Sequence, residues 1–208
     1  MEQTKQAAVG CVIMASGRAV RFGSNKLLAD FGSAPLIARA LDVTETPALA
    51  ARVVVTRSPE VAELACKAGV KTILHSLPGR NDTVRLGLEA LLSELPGLAG
   101  CIFLPGDQPL LRKESLRAMA RDFSALDEKE RAILRLGFRA EDGTERLGSP
   151  VLFGSRYFGA LCSLPEGKGG GVVIRRHPES VQAVYAARQE ELEDADTVEE
   201  LERLRKLL

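Results

Sequence analysis

The sequence lacks the features that proteins use to bind nucleic acid or membranes. Tryptophan is absent from its 208 residues, and seven phenylalanines and two tyrosines are its only aromatic side chains, too few for a base-stacking surface. Lysine plus arginine and aspartate plus glutamate each number 28, so the formal net charge is zero. A chain without net charge has no overall field to attract a polyanion. We therefore predict neither a nucleic-acid partner nor a membrane partner.

Long apolar runs and paired cysteines are lacking as well. The polar N-terminus is followed by an apolar run at 8–14, which is too short for a signal or spanning segment and predicts a cytoplasmic protein. The four cysteines show no C-x-x-C spacing, and we expect Cys11 and Cys101 to be buried in strands rather than paired. The two histidines, His75 and His177, are predicted at the surface or in loops without a catalytic role.

The chain alternates short apolar runs with helical stripes, which predicts one α/β domain over residues 1–208. The expected architecture has three layers, α/β/α, around a mostly parallel, doubly wound sheet. The stretch 139–149 is polar and predicts a hairpin or a substrate-side loop. Seven strands are predicted, at Val9–Met14, Arg52–Thr56, Lys71–Leu74, Gly100–Leu104, Ala132–Leu136, Pro150–Phe153 and Val181–Tyr185. Helical stripes are centred on Leu88, with a start at Asp82 or Thr83, on Met119, and on Leu201 within 197–208.

The loop after the first strand combines glycines with cations. Gly17 and Gly23 would allow backbone amides to approach an anion closely, and Arg21 and Lys26 would neutralise phosphate oxygens. Neither a G-x-x-x-x-G-K-[ST] loop nor a G-x-G-x-x-G motif is present. The alternative interpretation is a solvated basic loop.

The loop after the fourth predicted strand offers a single carboxylate. Asp107 lies in Pro105-Gly-Asp-Gln-Pro109, directly behind a buried strand, where α/β proteins commonly present Mg²⁺ to a nucleotide. The alternative is an aspartate that forms a turn or caps the helix near Leu111.

Four ordered motifs give the chain a family resemblance. The first loop is similar to the Leu-Ala-Ala-Gly-x-Ser-x-Arg-Phe-Gly-x-x-Lys signature of the MobA/MocA-like nucleotidyltransferases, and the second to their Gly-Asp-x-Pro loop. Gly148–Phe153 resembles their Gly-x-Pro-Val-Leu-Phe strand, and Asp194–Leu201 resembles their closing Asp-x-Asp-Thr-x-Glu-Asp-Leu segment. The resemblance extends from residue 8 to residue 201 and implies the nucleotide-diphospho-sugar transferase-like fold.

The resemblance also implies site residues. Those implied to line the nucleotide are Ala15, Ser16, Gly17, Arg21, Lys26, Asp82, Thr83 and Asp107. Arg21, Lys26 and Asp107 would form the catalytic set, with Mg²⁺ as cofactor. Asp107 and Asp196 would ligate this metal, with Asp194 as a further candidate. Asp196 has an alternative role, because Asp196 with Glu199, or Thr197 with Glu200, has the spacing of a helix capping box.

The chain departs from the family pattern at three places. Ser16 replaces the second alanine of the signature, and Ala19 replaces its serine. Where family members often have Gly-Asp-x-Gly-x-Arg, the chain has Glu166-Gly-Lys-Gly-Gly-Gly171, in which Lys168 inverts the charge. Lys168, Gly169 and Gly170 are predicted to bind an anionic substrate group, and a plain flexible turn is the alternative.

The expected reaction joins a nucleoside triphosphate to a phosphorylated small molecule with release of pyrophosphate. By resemblance the acceptor is molybdopterin carrying its metal, a molybdoenzyme or its chaperone is a candidate partner, and CTP is favoured over GTP. The alternatives are a guanylyltransferase, a cytidylyltransferase for another phosphate such as methylerythritol phosphate, and a non-catalytic nucleotide-binding or chaperone module.

Overall fold

Seven strands form a single sheet in the computed structural model of the protein, which describes residues 7–17 and 25–208. Their order across the sheet is β3-β2-β1-β4-β6-β5-β7, and β6 alone runs antiparallel to its neighbours. The prediction of a mostly parallel, doubly wound sheet is therefore confirmed. The strands are β1 Val9–Ala15, β2 Ala51–Thr56, β3 Lys71–Leu74, β4 Gly100–Pro105, β5 Ile133–Arg139, β6 Glu145–Gly154 and β7 Val181–Tyr185.

Helices cover both faces of the sheet and complete the three predicted layers. One apolar cluster joins β1, β2 and β4 to α1, α2, α4 and α7, and the other joins the opposite face to α3, α5 and α6. Cys11 and Cys101 are buried as free thiols, as predicted. The helices are α1 Ile37–Val43, α2 Pro59–Lys67, α3 Arg80–Glu94, α4 Lys113–Ala125, α5 Phe158–Cys162, α6 Gly171–Arg176 and α7 Val198–Arg205. No helix in the described ranges is long and apolar enough to cross a bilayer.

Three local predictions can be compared directly with the structure. The polar stretch 139–149 is a hairpin, because β5 and β6 pair antiparallel across it. Helix α3 begins at Arg80, earlier than the predicted start at Asp82 or Thr83, because the Asp82 carboxylate accepts a hydrogen bond from the Gly79 backbone N–H from inside the first turn. Helix α7 begins after Thr197 and ends at Arg205, short of the predicted residue 208.

The sheet order brings the two motif loops side by side. The chain moves outward from β1 through β2 to β3 and then returns to place β4 on the other side of β1. Residues Met14 and Pro105, near the carboxyl ends of β1 and β4, are register partners, and Gly106 N–H donates to the Met14 carbonyl at 3.0 Å. Such a switch in strand order opens a crevice at the carboxyl edge of the sheet, where α/β proteins bind ligands.

Candidate active site

A cleft of about 540 Å³ lies at this edge of the sheet. Its lining includes seven of the residues singled out from the sequence: Ser16, Gly17, Lys26, Thr83, Asp107, Asp194 and Asp196. Ala15 lies at the end of β1 as a buried residue and does not line the cleft. Arg21 and Gly23 lie outside the described residues, so the predicted role of Arg21 stays a prediction.

Lys26 connects the first loop to the carboxylates. Asn25 caps a short 3₁₀ turn, Lys26–Leu28, by accepting a hydrogen bond from Leu27 N–H at 3.2 Å, and this turn directs Lys26 into the cleft. The ammonium Nζ lies 2.5 Å from Asp107 Oδ2 and 2.6 Å from Asp196 Oδ1. A basic loop that faces only solvent would not make these contacts. The structure thus brings the cationic loop and the single carboxylate together.

The segment before α7 is attached directly to the Asp107 loop. The Ala195 backbone N–H donates to the Asp107 carbonyl at 2.9 Å, which places Asp194 and Asp196 at the rim of the cleft. The capping box of α7 is formed by Thr197 and Glu200, whose side chains each accept from the other's backbone N–H. The Asp196 side chain therefore takes no part in this box, and its carboxylate contacts Lys26.

Asp107 has no capping role either. Helix α4 begins at Lys113, and the carboxylate that accepts hydrogen bonds at its start belongs to the buried Glu191, from Arg112 N–H and the Ser115 hydroxyl. The alternative interpretation of Asp107 as the cap of this helix is wrong.

Among the described residues, three carboxylates and one ammonium share one side of the cleft. Burial would lower the pKa of Lys26, but the carboxylates of Asp107 and Asp196 outweigh it and hold this pKa above its usual value. Asp194 stays accessible at the rim, yet desolvation, followed by the charges of Asp107 and Asp196, raises its pKa to about 6. Besides desolvation, the charges of Asp107 and Asp196 each raise the pKa of Asp194 more than the charge of Lys26 lowers it, so negative charge exceeds the charge of Lys26 at this position.

These residues fit a divalent cation that is only partly held by protein. The described residues contain no group of three or more histidine, cysteine, aspartate or glutamate side chains that would hold a metal alone. Mg²⁺ does not need such a cage, since it commonly takes one or two carboxylates and completes its shell with water and substrate phosphates. Lys26 Nζ, held between two carboxylate oxygens, shows that the arrangement already accommodates a cation.

Comparison with known proteins identifies the family of the chain. The family model of the MobA-like NTP transferase domain matches residues 11–181. The chain belongs to the MobA-like NTP transferase family. Asp194 and Asp196 lie beyond the matched residues, so their position beside Lys26 is known from the structure alone.

Solved structures share the fold over nearly the whole chain. Rv0371c from Mycobacterium tuberculosis is 24% identical, with a TM-score of 0.74 over 96% of this chain and 98% of that one. A nucleotidyl transferase from Methanothermobacter is 20% identical, with a TM-score of 0.78 over 96% and 97%. A CMP:2-keto-3-deoxy-manno-octonic acid synthetase solved with CTP is 15% identical, with a TM-score of 0.77 over 97% and 98%. At these identities the likeness shows the fold.

Ser16, one of the departures from the MobA-like signature, uses its hydroxyl in two contacts. This hydroxyl donates to the Val55 carbonyl at 3.0 Å and lies 2.8 Å from His75 Nε2. The Arg57 guanidinium donates to the Ser16 carbonyl. Side chains from the ends of β2 and β3 therefore hold the backbone segment Ser16–Gly17 at the cleft. The prediction that His75 lies at the surface or in a loop without a catalytic role does not anticipate this contact, in which the half-buried His75 side chain reaches Ser16.

Two arginines of the cleft were not predicted from the sequence. Arg57 follows β2 and Arg80 opens α3, and both line the cleft. The rule that pointed to the loops after β1 and β4 applies equally to the loop after β2, and would have identified Arg57. Arg80 could not be identified in this way, because the predicted start of α3 lay beyond it, at Asp82 or Thr83.

The start of α3 presents Thr83 rather than Asp82 to the cleft. Thr83 is buried and lines the cleft, whereas Asp82 accepts from Gly79 N–H at 3.1 Å and lies 3.5 Å from the Arg85 guanidinium. Contacts of Thr83 and Asp82 with a nucleoside remain predictions.

The glycine run is adjacent to the cleft without lining it. Lys168 is exposed, and Gly167 has a φ of +69°, so a tight turn occupies this position. Gly167 N–H donates to Asn81 Oδ1 at 2.8 Å, and a Cβ on Gly169 would lie 2.8 Å from Arg80 Cδ. The turn therefore packs on the start of α3. Substrate binding by Lys168, Gly169 and Gly170 stays a prediction.

Proposed function

We propose that the protein transfers a nucleotidyl group, CMP from CTP, to the phosphate of a molybdopterin-type acceptor in a Mg²⁺-dependent reaction. An acceptor phosphate oxygen attacks the α-phosphorus, the bond from the α-phosphorus to the bridging oxygen breaks, and pyrophosphate leaves. The observation that carries the proposal is the position of Lys26 between Asp107 and Asp196, in the same cleft as Ser16 and Gly17.

The cleft residues divide into two groups by charge. Lys26, Arg57 and Arg80 would neutralise and align the triphosphate, and the backbone amides of Ser16 and Gly17, which line the same cleft, would donate to it. Asp107 and Asp196 would hold the metal, which when bound neutralises charge that develops on the phosphate oxygens. A solved structure of the Rv0371C protein is a complex with manganese, which is consistent with a divalent ion in this fold.

The reaction does not require a general base. A phosphate monoester is largely ionised near pH 7, since its second pKa is about 6. Catalysis then depends on alignment and on charge neutralisation. This accounts for a cleft whose described lining contains lysine, arginine and aspartate but no cysteine or histidine nucleophile system.

The choice of base and acceptor is the finer part of the proposal. CTP is supported by the likeness of Met14-Ala-Ser-Gly17 to the cytidylyl form of the signature, and one fold neighbour was solved with CTP. A second candidate acceptor is methylerythritol phosphate, because a 4-diphosphocytidyl-2C-methyl-D-erythritol synthase from Anaerococcus prevotii shares the fold with a TM-score of 0.72 at 13% identity.

Calorimetric titration with CTP and GTP in the presence of Mg²⁺ tests the base. We expect CTP to bind at least tenfold more tightly, and selective binding of GTP would overturn the cytidylyl assignment.

A pyrophosphate-release assay with molybdopterin and methylerythritol phosphate tests the acceptor and the catalytic role. Asp107→Asn should reduce turnover by at least 100-fold, as expected when an electrostatic contact in the transition state is lost. Asp127→Asn, at an exposed carboxylate outside the cleft, is the matched control and should retain turnover. Nucleotide binding without turnover on either acceptor would favour the non-catalytic module, and equal turnover of Asp107→Asn would refute the metal role of Asp107.

A further inference from the structure

The Ser16 hydroxyl makes two contacts that together determine its hydrogen position. A carbonyl oxygen can only accept, so the contact of 3.0 Å with the Val55 carbonyl takes the single hydroxyl proton. The contact of 2.8 Å with His75 Nε2 must then run the other way, from a ring N–H to the serine oxygen. His75 therefore carries its proton on Nε2.

The other ring nitrogen supports this tautomer. His75 Nδ1 is buried and has no hydrogen-bond partner among the described residues. A lone pair left there costs less than an N–H donor with no acceptor, so the tautomer with the proton on Nε2 is favoured. A second proton on this ring would have to be placed on Nδ1.

We propose that His75 is a positioning residue for nucleotide binding, which holds the backbone segment Ser16–Gly17 in its binding conformation through the bond from Nε2–H to the Ser16 hydroxyl. The inference rests on the proposed function, because it assigns this segment to the nucleotide. It also explains the replacement of alanine by serine in the signature, since the hydroxyl serves as a fixed link between the ends of β1, β2 and β3 rather than as a contact to the base.

The surroundings of His75 disfavour its charged form. Burial, followed by the Arg57 guanidinium, lowers its pKa, and Arg85 on α3 acts in the same direction, while Asp82 on α3 opposes them. Protonation would keep the bond from Nε2–H but would add an N–H on the buried Nδ1, which has no acceptor among the described residues, so neutral His75 is the form compatible with this position. A residue with a depressed histidine pKa contributes fully at higher pH, and its contribution is lost as the pH falls through that pKa.

The test compares the dissociation constants of Mg²⁺–CTP, or of Mg²⁺–GTP if that is the nucleotide bound, for wild-type protein and variants of the pair. His75→Leu removes the donor, whereas His75→Gln places an amide N–H at the position of Nε2. We expect His75→Leu and Ser16→Ala each to weaken binding by roughly two- to tenfold, the cost of one unmade hydrogen bond. His75→Gln should recover most of the affinity, and the double variant S16A/H75L should lose no more than either single one, because both partners are then apolar.

The pH dependence of nucleotide binding distinguishes a positioning role of His75 from a role in packing alone. The ratio of the wild-type dissociation constant to that of His75→Gln should rise several-fold between about pH 7 and about pH 5, as His75 protonates. The ionisation of the nucleotide and of the cleft carboxylates is common to both proteins and cancels in this ratio. Nitrogen NMR of the free wild-type protein reports the tautomer independently of any variant, and Nε2–H is expected.

Three outcomes would overturn the inference. These are equal binding by His75→Leu and wild type, a ratio that does not change with pH, and an Nδ1–H tautomer in the free protein. If wild-type protein binds nucleotide and only His75→Leu is without effect, the proposed function stands and the positioning role falls. If wild-type protein binds neither CTP nor GTP, the proposed function falls and the inference falls with it.

Discussion

Removal of the Lys26 ammonium should strengthen metal binding and weaken nucleotide binding at the same time. In the free protein, this ammonium contacts the oxygens of Asp107 and Asp196 that a metal would need. A metal ion held by these two carboxylates would have to displace the ammonium, which would then be available to the triphosphate. Lys26→Met leaves the carboxylates in place without their counter-ion.

The size of the effect follows from the two contacts. A hydrogen bond between charged groups contributes about 1.5–3 kcal/mol when well protected. The Asp196 side chain is 56% exposed and that of Lys26 is 12% exposed. Solvent screening therefore reduces the combined contribution of the two Lys26 contacts to about 1–2 kcal/mol. Because 1.4 kcal/mol corresponds to a factor of ten, the affinity of Lys26→Met for Mn²⁺ without nucleotide should rise by about 5- to 30-fold. Affinity for the nucleotide should fall by at least a similar factor.

Titration of Mn²⁺, followed by calorimetry or by electron paramagnetic resonance, measures the first effect. Lys67→Met is the matched control, since Lys67 pairs with Glu63 on the exposed surface of α2 and its loss removes the same charge. The reasoning is refuted if Lys26→Met binds Mn²⁺ no more tightly than wild type does, or if the Lys67 variant shows the same gain.

Three further changes test the packing and charge around the cleft. Asp194→Asn should raise the free energy of unfolding at pH 7.5, measured by thermal unfolding, by about 1 kcal/mol after discounting for solvent screening, and the gain should vanish near pH 4, because a raised carboxyl pKa costs stability only where the group is ionised. Gly87→Ala should destabilise the fold by about 1–3 kcal/mol in urea unfolding, since a Cβ would lie 2.8 Å from Val12 Cγ2, while Gly159→Ala, with open space around it, should not. Glu191→Ala should cost about 1–3 kcal/mol through the lost contacts at the start of α4, and a comparable loss in the neighbouring Glu190→Ala would contradict that explanation.

The sheet could be predicted because its strands carry their own signal. Buried parallel strands are continuous apolar runs, and Val9–Ala15 and Gly100–Pro105 are buried on both faces almost throughout. The predicted start of α3 is less accurate, because Asp82 has the residue type of a helix cap but is the third residue of the helix. From that position its carboxylate accepts a hydrogen bond from the backbone N–H of Gly79, the residue before the helix. Residue type alone does not distinguish these two capping geometries.

From the sequence, the site could be predicted only for residues that follow the ends of adjacent strands. Lys26 follows β1 and Asp107 follows β4. These strands are adjacent in the sheet, so the two side chains could be expected to meet. His75 could not be found this way, since its contact with Ser16 spans 59 residues and depends on how the ends of β1, β2 and β3 align. A single histidine at the end of a short strand carries no pattern of its own.

The sequence does not determine which of two capping boxes starts α7, because both candidate pairs have the required spacing. Asp196 with Glu199 and Thr197 with Glu200 satisfy the same spacing rule. A contact from outside the helix favours one of the two boxes, because the hydrogen bond from Ala195 N–H to the Asp107 carbonyl fixes the chain just before α7. With Thr197 as the cap, Asp196 lies one residue outside the helix and its carboxylate reaches Lys26. If Asp196 were the cap, the same carboxylate would face the helix N–H groups, and Lys26 would contact Asp107 alone. The use of Thr197 as the cap therefore determines both where α7 starts and which carboxylates contact Lys26 in the cleft.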